Sequence, residues 1–160
     1  MNPKDYIGKR GENIFRVLIT EFCDGMPLFD DAFLGEKHEA TDSLVELINP
    51  TSGHAYFFAQ IKSTTSRYTG LGAARKLDVR VTKRDVEKLK KVPAPIYVFG
   101  IDIEKQRGYI MAITRRTTGG ISGIPTKNSL SCRSLKMLWK EVDDYWTAKR
   151  MLVQDSVFTN

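Results

Sequence analysis

Two apolar segments joined by a turn constrain the fold of this chain more than any other feature. Residues 44–48 and 56–62 are rich in the aliphatic and aromatic side chains that strands use, and the intervening Asn-Pro-Thr-Ser-Gly is a strong turn signal. Strands this close along the chain are expected to pair as an antiparallel hairpin. The second strand, FFAQIKST, begins with a run that fills a core, so we expect the hairpin to lie centrally.

The second strand ends with two polar residues that a buried strand does not need. Gln60 and Lys62 are two positions apart, so they share one face of the strand. Counting back from the turn places Asp42 opposite residue 61, within one residue, because a loop longer than two residues leaves the register open. We therefore expect the aspartate, the amide and the lysine to meet at one end of the hairpin.

The elements around the hairpin predict an α/β or α+β domain with helices on a mixed sheet. Amphipathic helices are expected over residues 8–22 and 83–91, the second opened by Thr82 with Asp85 as its capping partner. The run PIYVFGID predicts a buried strand parallel to the hairpin, and GYIMAIT predicts another strand. Apolar residues at helical spacing from Leu135 to Trp146 predict a C-terminal helix with an aromatic stripe.

Targeting and redox signals favour the cytoplasm. No apolar run of about eighteen residues is present, so we expect no transmembrane helix. The first residues also lack the apolar segment of a signal peptide. Cys23 and Cys132 lie far apart without metal-type spacing, which predicts two separate thiols in a reducing compartment.

The net charge of +6 is unevenly distributed along the chain. Residues 21–60 contain eight acidic residues and one lysine, whereas residues 61–91 contain ten basic and three acidic residues. A basic block directly after the Gln-x-Lys pair favours a polyanionic partner, nucleic acid above all. The alternative is the solvated face of a basic helix.

Glu12, Asp42 and Lys62 suggest a specific chemistry. Glu12 is expected in the first turns of the opening helix, with its carboxylate toward the apolar side near Phe15. Two carboxylates supply the hard oxygen ligands that Mg²⁺ prefers, and a lysine beside them can hold water and offset charge on a phosphate. Metal-assisted phosphodiester hydrolysis fits this set. Each residue also has a structural alternative. Glu12 would interact with the helix dipole, Asp42 would cap a loop, and Lys62 would extend its stem along the sheet edge with its ammonium in solvent.

In order, the segments GKRGENIF, GEKHEATDSLVEL and QIKST resemble the helix-Glu, Asp and (Glu/Gln)-x-Lys motif of the PD-(D/E)XK nuclease superfamily. The likeness is greatest to Mrr-like restriction endonucleases, archaeal Holliday-junction resolvases and related bacterial domains. It covers roughly residues 5–115 of one domain spanning 1–160, with a C-terminal strand and helix extension over 116–160. It implies a restriction-endonuclease-like fold and an endonuclease dependent on Mg²⁺ or Mn²⁺, in phage defence, restriction or recombination.

The resemblance also implies a role for each site residue. Asp42 would be the principal metal ligand, Glu12 a further ligand or water-orienting carboxylate, and Lys62 the catalytic lysine. Ile61 would offer its main-chain carbonyl to the metal. Gln60 also stands at a ligand position but departs from the carboxylate variant, because a neutral amide binds Mg²⁺ less strongly. It therefore raises the alternative of a weak or inactive nuclease-fold module that binds nucleic acid or a protein partner.

The sequence also suggests which partners the protein binds. DNA is favoured over RNA, no membrane is expected, and a homodimer or protein partner would use the C-terminal helix. His38, four residues before Asp42, is either a further ligand or an exposed loop residue. The candidates for contacts with the phosphate backbone are Lys9, Arg10, Arg67, Arg75, Lys76, Arg80, Lys83 and Arg84.

Overall fold

Three helices and a five-stranded mixed sheet organise the residues that the computed structural model describes, 2–34, 41–149 and 157. The helices are α1 (Pro3–Ile19), α2 (Lys83–Leu89) and α3 (Cys132–Ala148), and a 3₁₀ turn spans Gly72–Ala74. The strands are β1 (Phe22–Cys23), β2 (Met26–Pro27), β3 (Phe29–Phe33), β4 (Ser43–Leu47), β5 (Tyr56–Thr64), β6 (Tyr68–Thr69), β7 (Lys76–Leu77), β8 (Ile96–Asp102), β9 (Arg107–Ile113) and β10 (Ile124–Pro125). None of the three described helices is both long and apolar enough to cross a membrane.

The predicted hairpin is confirmed and lies in the middle of the main sheet, whose order is β3-β4-β5-β8-β9. β4 and β5 pair antiparallel, with Ser43 opposite Ala59. β8 lies parallel to β5, with Lys62 opposite Gly100, and β9 returns antiparallel to β8. Because β5 runs on to Thr64 past the start of β4, its last residues pair with β8 on one side and, among the described residues, with no strand on the other.

One face of the main sheet is covered by α1 and α3. Phe15 of α1 meets Phe99 of β8 edge-to-face with ring centroids 4.7 Å apart, and Phe57 stacks on Phe99 at 6.1 Å. Leu135 and Val142 of α3 complete this cluster, in which all five side chains are buried. Burial of aromatic and aliphatic area of this kind supplies most of the stabilisation of a domain.

The other face is covered by α2 and by the small sheet β10-β7-β6. Val86 and Leu89 of α2 are buried here, and Thr82 caps the helix by accepting the Asp85 N–H at 3.1 Å, as predicted. Gly100 allows the small sheet to approach, since a Cβ there would lie 2.9 Å from Ile124 and 3.0 Å from Leu77. The main sheet is therefore sandwiched between two apolar layers.

The aromatic stripe of α3 packs on the protein's own core. Trp139 donates its indole N–H to the Ile48 carbonyl at 3.1 Å, and Trp146 donates to the Tyr56 carbonyl at 2.7 Å. Both indoles therefore satisfy main-chain acceptors at the two ends of the hairpin turn. A homodimer or partner contact through this helix would have to use its outer side, where Met137 is exposed.

Asp143 of α3 holds the hairpin turn. Its carboxylate accepts hydrogen bonds from the Thr51 hydroxyl and from the Ser52 amide and hydroxyl, the last two at 2.9 and 2.7 Å. Burial raises the pKa of Asp143, but these hydrogen bonds outweigh it and hold the pKa below the usual aspartate value. The turn that sets the hairpin register is thus fixed to a helix.

Three expectations about the elements are wrong. α1 begins at Pro3 and ends at Ile19, because Asn2 caps it through the Lys4 N–H and proline suits the first helical turn. The stretch after Asp24-Gly25 is not a loop but the β1–β2 hairpin followed by the edge strand β3. Cys23 and Cys132 are not separate thiols: they form a disulfide that joins β1 to α3.

Candidate active site

Asp42 lies where β4 begins, beside the middle of β5. Its N–H donates to the Ala59 carbonyl at 2.9 Å, and its Oδ2 accepts the Ile61 N–H at 2.5 Å. Continued by one residue, the pairing of Ser43 with Ala59 brings Asp42 opposite Gln60, within the predicted range. The carboxylate and the Gln-x-Lys segment therefore meet at one end of the hairpin.

The electrostatics of Asp42 reflect both its burial and its neighbours. Burial raises the pKa of Asp42, whereas the hydrogen bond from Ile61 and the positive charge of Lys62 act to lower it. Burial has the largest effect, so the pKa stays above the usual aspartate value. The charge of Lys62 thus acts directly on this half-buried carboxylate.

Gln60 places an unsatisfied oxygen in the same position. The residue is only 5% exposed, and its Oε1 is buried without a hydrogen-bond partner in the described part of the chain. A buried acceptor left unpaired costs about 1–3 kcal/mol. The strand therefore keeps an unpaired acceptor, on the residue opposite Asp42, at an energetic cost.

Gln60 and Lys62 share one face of β5, as predicted from their spacing. Phe58, two residues earlier on this face, packs in the cluster under α2, and Gly100, the pairing partner of Lys62, faces the small sheet. Lys62 itself is half-buried. Its aliphatic stem is therefore held by packing, which limits where its ammonium can lie.

Glu12 lies beside the closest approach between α1 and β5. Gly11 packs directly on Ser63, and a Cβ at Gly11 would come within 1.6 Å of the Ser63 Oγ. Glu12 is half-buried and follows this contact at once. Because α1 begins at Pro3, Glu12 is in mid-helix and not in the first turns, so the helix-dipole explanation of this carboxylate is wrong.

Asp31 is a buried carboxylate that sequence analysis missed. Its side chain is 2% exposed, and its Oδ2 accepts a hydrogen bond from Arg16 Nε at 3.2 Å, one turn after Glu12 on α1. Its Oδ1 is the second buried atom without a partner among the described residues. The residue was overlooked because β3, whose Asp31 pairs with Val45, was expected to be loop.

A divalent cation fits the donor set of this site. Gln60 Oε1 is a buried oxygen without a hydrogen-bond partner among the described residues, Gln60 is opposite Asp42 in the strand register, and hard cations bind carboxylate and amide oxygens. Residues 2–34 and 41–149 hold no cluster of three or more His, Cys, Asp or Glu side chains able to bind a metal. A cation here would therefore depend on amide and main-chain oxygens besides Asp42. His38, the other candidate ligand, lies outside the described residues.

Comparisons with protein-family models, with curated proteins and with solved structures found no match for this chain.

The predicted phosphate-contact residues are all exposed and lie on several elements. Lys9 and Arg10 directly precede the Gly11 contact with β5. Arg75 and Lys76 lie at β7, in the small sheet beside the face of Lys62. The rest lie between β5 and α2 or on α2 itself: Arg67, Arg80, Lys83 and Arg84.

A second group of basic residues was missed by sequence analysis. Lys105 and Arg107 lie at the connection of β8 and β9, where they line a cavity of about 360 Å³ together with Arg75. In the sequence, EKQR is a short link between two predicted strands, and its two basic residues gave no sign of a binding site. Only the pairing of β8 with β5 brings this turn to the end of the sheet where Thr64 lies.

Proposed function

We propose that this chain is a Mg²⁺- or Mn²⁺-dependent nuclease that cleaves DNA. The observation that carries the proposal is the buried, unpaired Oε1 of Gln60, a residue opposite Asp42 in the strand register and on the same strand face as Lys62. A mixed sheet with a central antiparallel hairpin flanked by helices is also what the PD-(D/E)XK resemblance implies. The proposed compartment is the cytoplasm, in which Cys23 and Cys132 would be kept as thiols rather than as the disulfide of this structure.

Each proposed site residue has a role that follows from its chemistry. Asp42, Gln60 and the Ile61 carbonyl would hold the cation, and Glu12 would add a ligand or orient water from α1. When bound, Mg²⁺ would polarise the phosphoryl group and lower the pKa of a coordinated water. Lys62 donates hydrogen bonds to the attacking water or a phosphate oxygen and offsets the negative charge that develops during cleavage.

The test is incubation of the pure protein with plasmid and with branched DNA, with and without Mg²⁺ or Mn²⁺. We expect cleavage that requires the metal and falls about 10²–10³-fold in Asp42→Asn and in Lys62→Ala. Asp30→Asn and Lys91→Ala make the same charge changes at exposed positions and should cleave as the unmodified protein does. Absence of metal-dependent cleavage, or cleavage unaffected by both site variants, would disprove the proposal.

Gln60 favours a second candidate function, a nuclease-fold module that binds DNA without cutting it. Its neutral amide replaces a carboxylate, and the described residues offer no three-residue acidic or histidine cluster. This candidate predicts DNA binding that weakens with salt and survives Asp42→Asn. A gel-shift titration at several salt concentrations, run beside the cleavage assay, separates the two candidates.

A further inference from the structure

The cavity between the small sheet and the β8–β9 turn has an unusual lining. It is walled by three cations, four hydroxyl-bearing residues and no carboxylate. Its polar lining residues are Tyr68, Arg75, Lys105, Arg107, Tyr109, Thr126 and Ser129. We refer to it as the basic pocket.

The basic pocket lies at the same end of the sheet as the candidate active site. Asp102, which holds its floor, pairs with Thr64 of β5, and Gly100 pairs with Lys62. Two residues of strand span about 6.6 Å and return to the same face. The floor of the pocket is therefore one such step beyond Lys62 and on the face to which Lys62 points.

Asp102 is fully buried and serves to position the pocket. Its carboxylate accepts hydrogen bonds from the Tyr68 hydroxyl at 2.6 Å, from the Ser66 hydroxyl at 2.8 Å, and from the amides of Glu104 and Lys105 at 3.0 and 3.1 Å. Burial raises the pKa of Asp102, but these hydrogen bonds together hold it below the usual value. These neutral donors stabilise the carboxylate without forming an ion pair, so its single negative charge offsets only part of the positive charge of the three cations that line the pocket.

The ring of Tyr68 is in contact with two of the three cations, Arg75 and Lys105. The Arg75 guanidinium lies 4.3 Å and the Lys105 ammonium 4.8 Å from the centroid of its ring, within cation–π range. The Tyr68 hydroxyl donates to Asp102, so the Tyr109 hydroxyl, 3.2 Å away, must donate to Tyr68. Both tyrosines are therefore fixed, and two like charges are held on one ring.

Three cations around one cavity favour an anion of high charge. A phosphodiester carries one negative charge, whereas a terminal phosphate monoester carries nearly two at neutral pH. A cavity of about 360 Å³ is at the small end of the range for ligand sites, and larger than a lone phosphate requires. We propose that the basic pocket binds the terminal phosphate of a nucleic-acid strand and thereby positions that strand at Asp42 and Lys62. This inference rests on the proposed nuclease function for its consequence, but its binding step is tested separately.

The test is metal-free binding, which does not depend on cleavage. Short single-stranded DNA oligonucleotides with a 5′-phosphate, a 3′-phosphate or hydroxyls at both ends, each labelled internally, are titrated by fluorescence anisotropy. We expect one phosphorylated end to bind at least about tenfold tighter than the hydroxyl form, and inorganic phosphate to abolish the difference. Equal binding of all three forms would mean that only internal phosphodiesters are contacted and would overturn the proposal.

Variants locate the binding. Lys105→Ala and Arg107→Ala change exposed side chains and should remove the preference for the phosphorylated end. Arg115→Ala, beyond the other end of β9, removes the same charge away from the pocket and should keep the preference. A preference that survives both pocket variants would overturn the proposal. If those variants do not fold, phosphate competition on the unmodified protein decides.

The cleavage assay keeps this inference separate from the proposed function. A preference for the phosphorylated end in a protein that never cleaves DNA would support the basic pocket and reject the nuclease. Metal-dependent cleavage without any preference for a phosphorylated end would support the nuclease and overturn the proposal for the basic pocket.

Discussion

The oxygen of Gln60 is the most informative atom of the candidate site. Proteins rarely leave a buried acceptor without a partner, and those that do often use it for function. Gln60 is opposite Asp42 in the strand register and on the same face as Lys62, which is why we propose that a cation binds here. At Gln60 the unpaired acceptor therefore lowers the stability of the metal-free protein and is available to bind a cation.

Gln60→Met should separate the two sides of this trade-off. Methionine has a similar shape but no hydrogen-bond acceptor of consequence, so we expect the metal-free protein to gain about 1–3 kcal/mol of unfolding free energy. The same variant should lose the increase in stability that Mn²⁺ gives the unmodified protein. Urea unfolding with and without Mn²⁺ measures both effects.

Gln60→Glu is the complementary variant. A second buried carboxylate beside Asp42 should destabilise the metal-free protein and increase its stabilisation by Mn²⁺, because like charges repel until a cation lies between them. If Gln60→Met is less stable than the unmodified protein and both variants respond to Mn²⁺ alike, Gln60 has an ordinary packing role.

At the scale of elements, the position of Glu12 depends on how closely α1 approaches β5. The contact requires a residue without a side chain at position 11, because the Ser63 hydroxyl fills the space that a Cβ would need. Ser63 is the next residue after Lys62 but faces α1, whereas Lys62 faces the small sheet, so this contact fixes the helix to the strand from the opposite face. A small shift of α1 would therefore move Glu12 relative to the site.

Gly11→Ala should push α1 away from β5. Overpacking of this kind costs about 1–3 kcal/mol, and we expect DNA cleavage to fall with it because Glu12 is displaced. The matched control is Gly8→Ala on the same helix, where nothing lies within 4 Å of the added Cβ. Gly8→Ala should stabilise the protein by about 0.5–1 kcal/mol and leave cleavage unchanged. Thermal unfolding and the plasmid assay provide the comparison, and equal behaviour of the two variants would refute it.

Local pattern predicted the elements that carry strong local signals. The β4–β5 hairpin follows from its turn, and the cap of α2 from Thr82 and Asp85. The start of α1 was misplaced because the Asn2 cap precedes the apolar periodicity that was used to find the helix. β3 was missed because it is an edge strand with two aspartates among five residues, which gives no clear apolar alternation.

Part of the candidate site could likewise be predicted from local sequence pattern, and part could not. The shared face of Gln60 and Lys62 and their meeting with Asp42 follow from the two-residue period of a strand and from the turn. The basic pocket joins β6, β7 and the β8–β9 turn, which are distant in sequence. Its assembly depends on the parallel pairing of β5 with β8, and no local pattern contains that information.

At the scale of the whole molecule, one covalent link spans most of the chain. The disulfide between Cys23 and Cys132 encloses 109 residues of sequence separation and ties the strand after α1 to the start of α3. It thereby closes the layer that covers one face of the sheet. A reducing cytoplasm would keep these residues as thiols, so the redox state and the compartment are linked.

Reduction or paired replacement of the cysteines should lower stability. Chain-entropy arguments give about 4–5 kcal/mol for a loop of this length, with measured effects often smaller. We expect Cys23→Ser with Cys132→Ser to melt at a lower temperature than the oxidised protein and to be insensitive to dithiothreitol. Non-reducing mass spectrometry together with calorimetry checks this, and an oxidised protein whose melting temperature does not change on reduction would contradict it.

The central claim is that Asp42, Gln60 and the strand between Gln60 and Lys62 bind a divalent cation. Its most direct test is a crystal structure of the protein soaked in Mn²⁺, examined by anomalous scattering. The account predicts an anomalous peak in contact with the Asp42 carboxylate, Gln60 Oε1 and the Ile61 carbonyl, and loss of that peak in Asp42→Asn. A soaked crystal with no peak at Asp42, or with the cation bound only elsewhere, would contradict it.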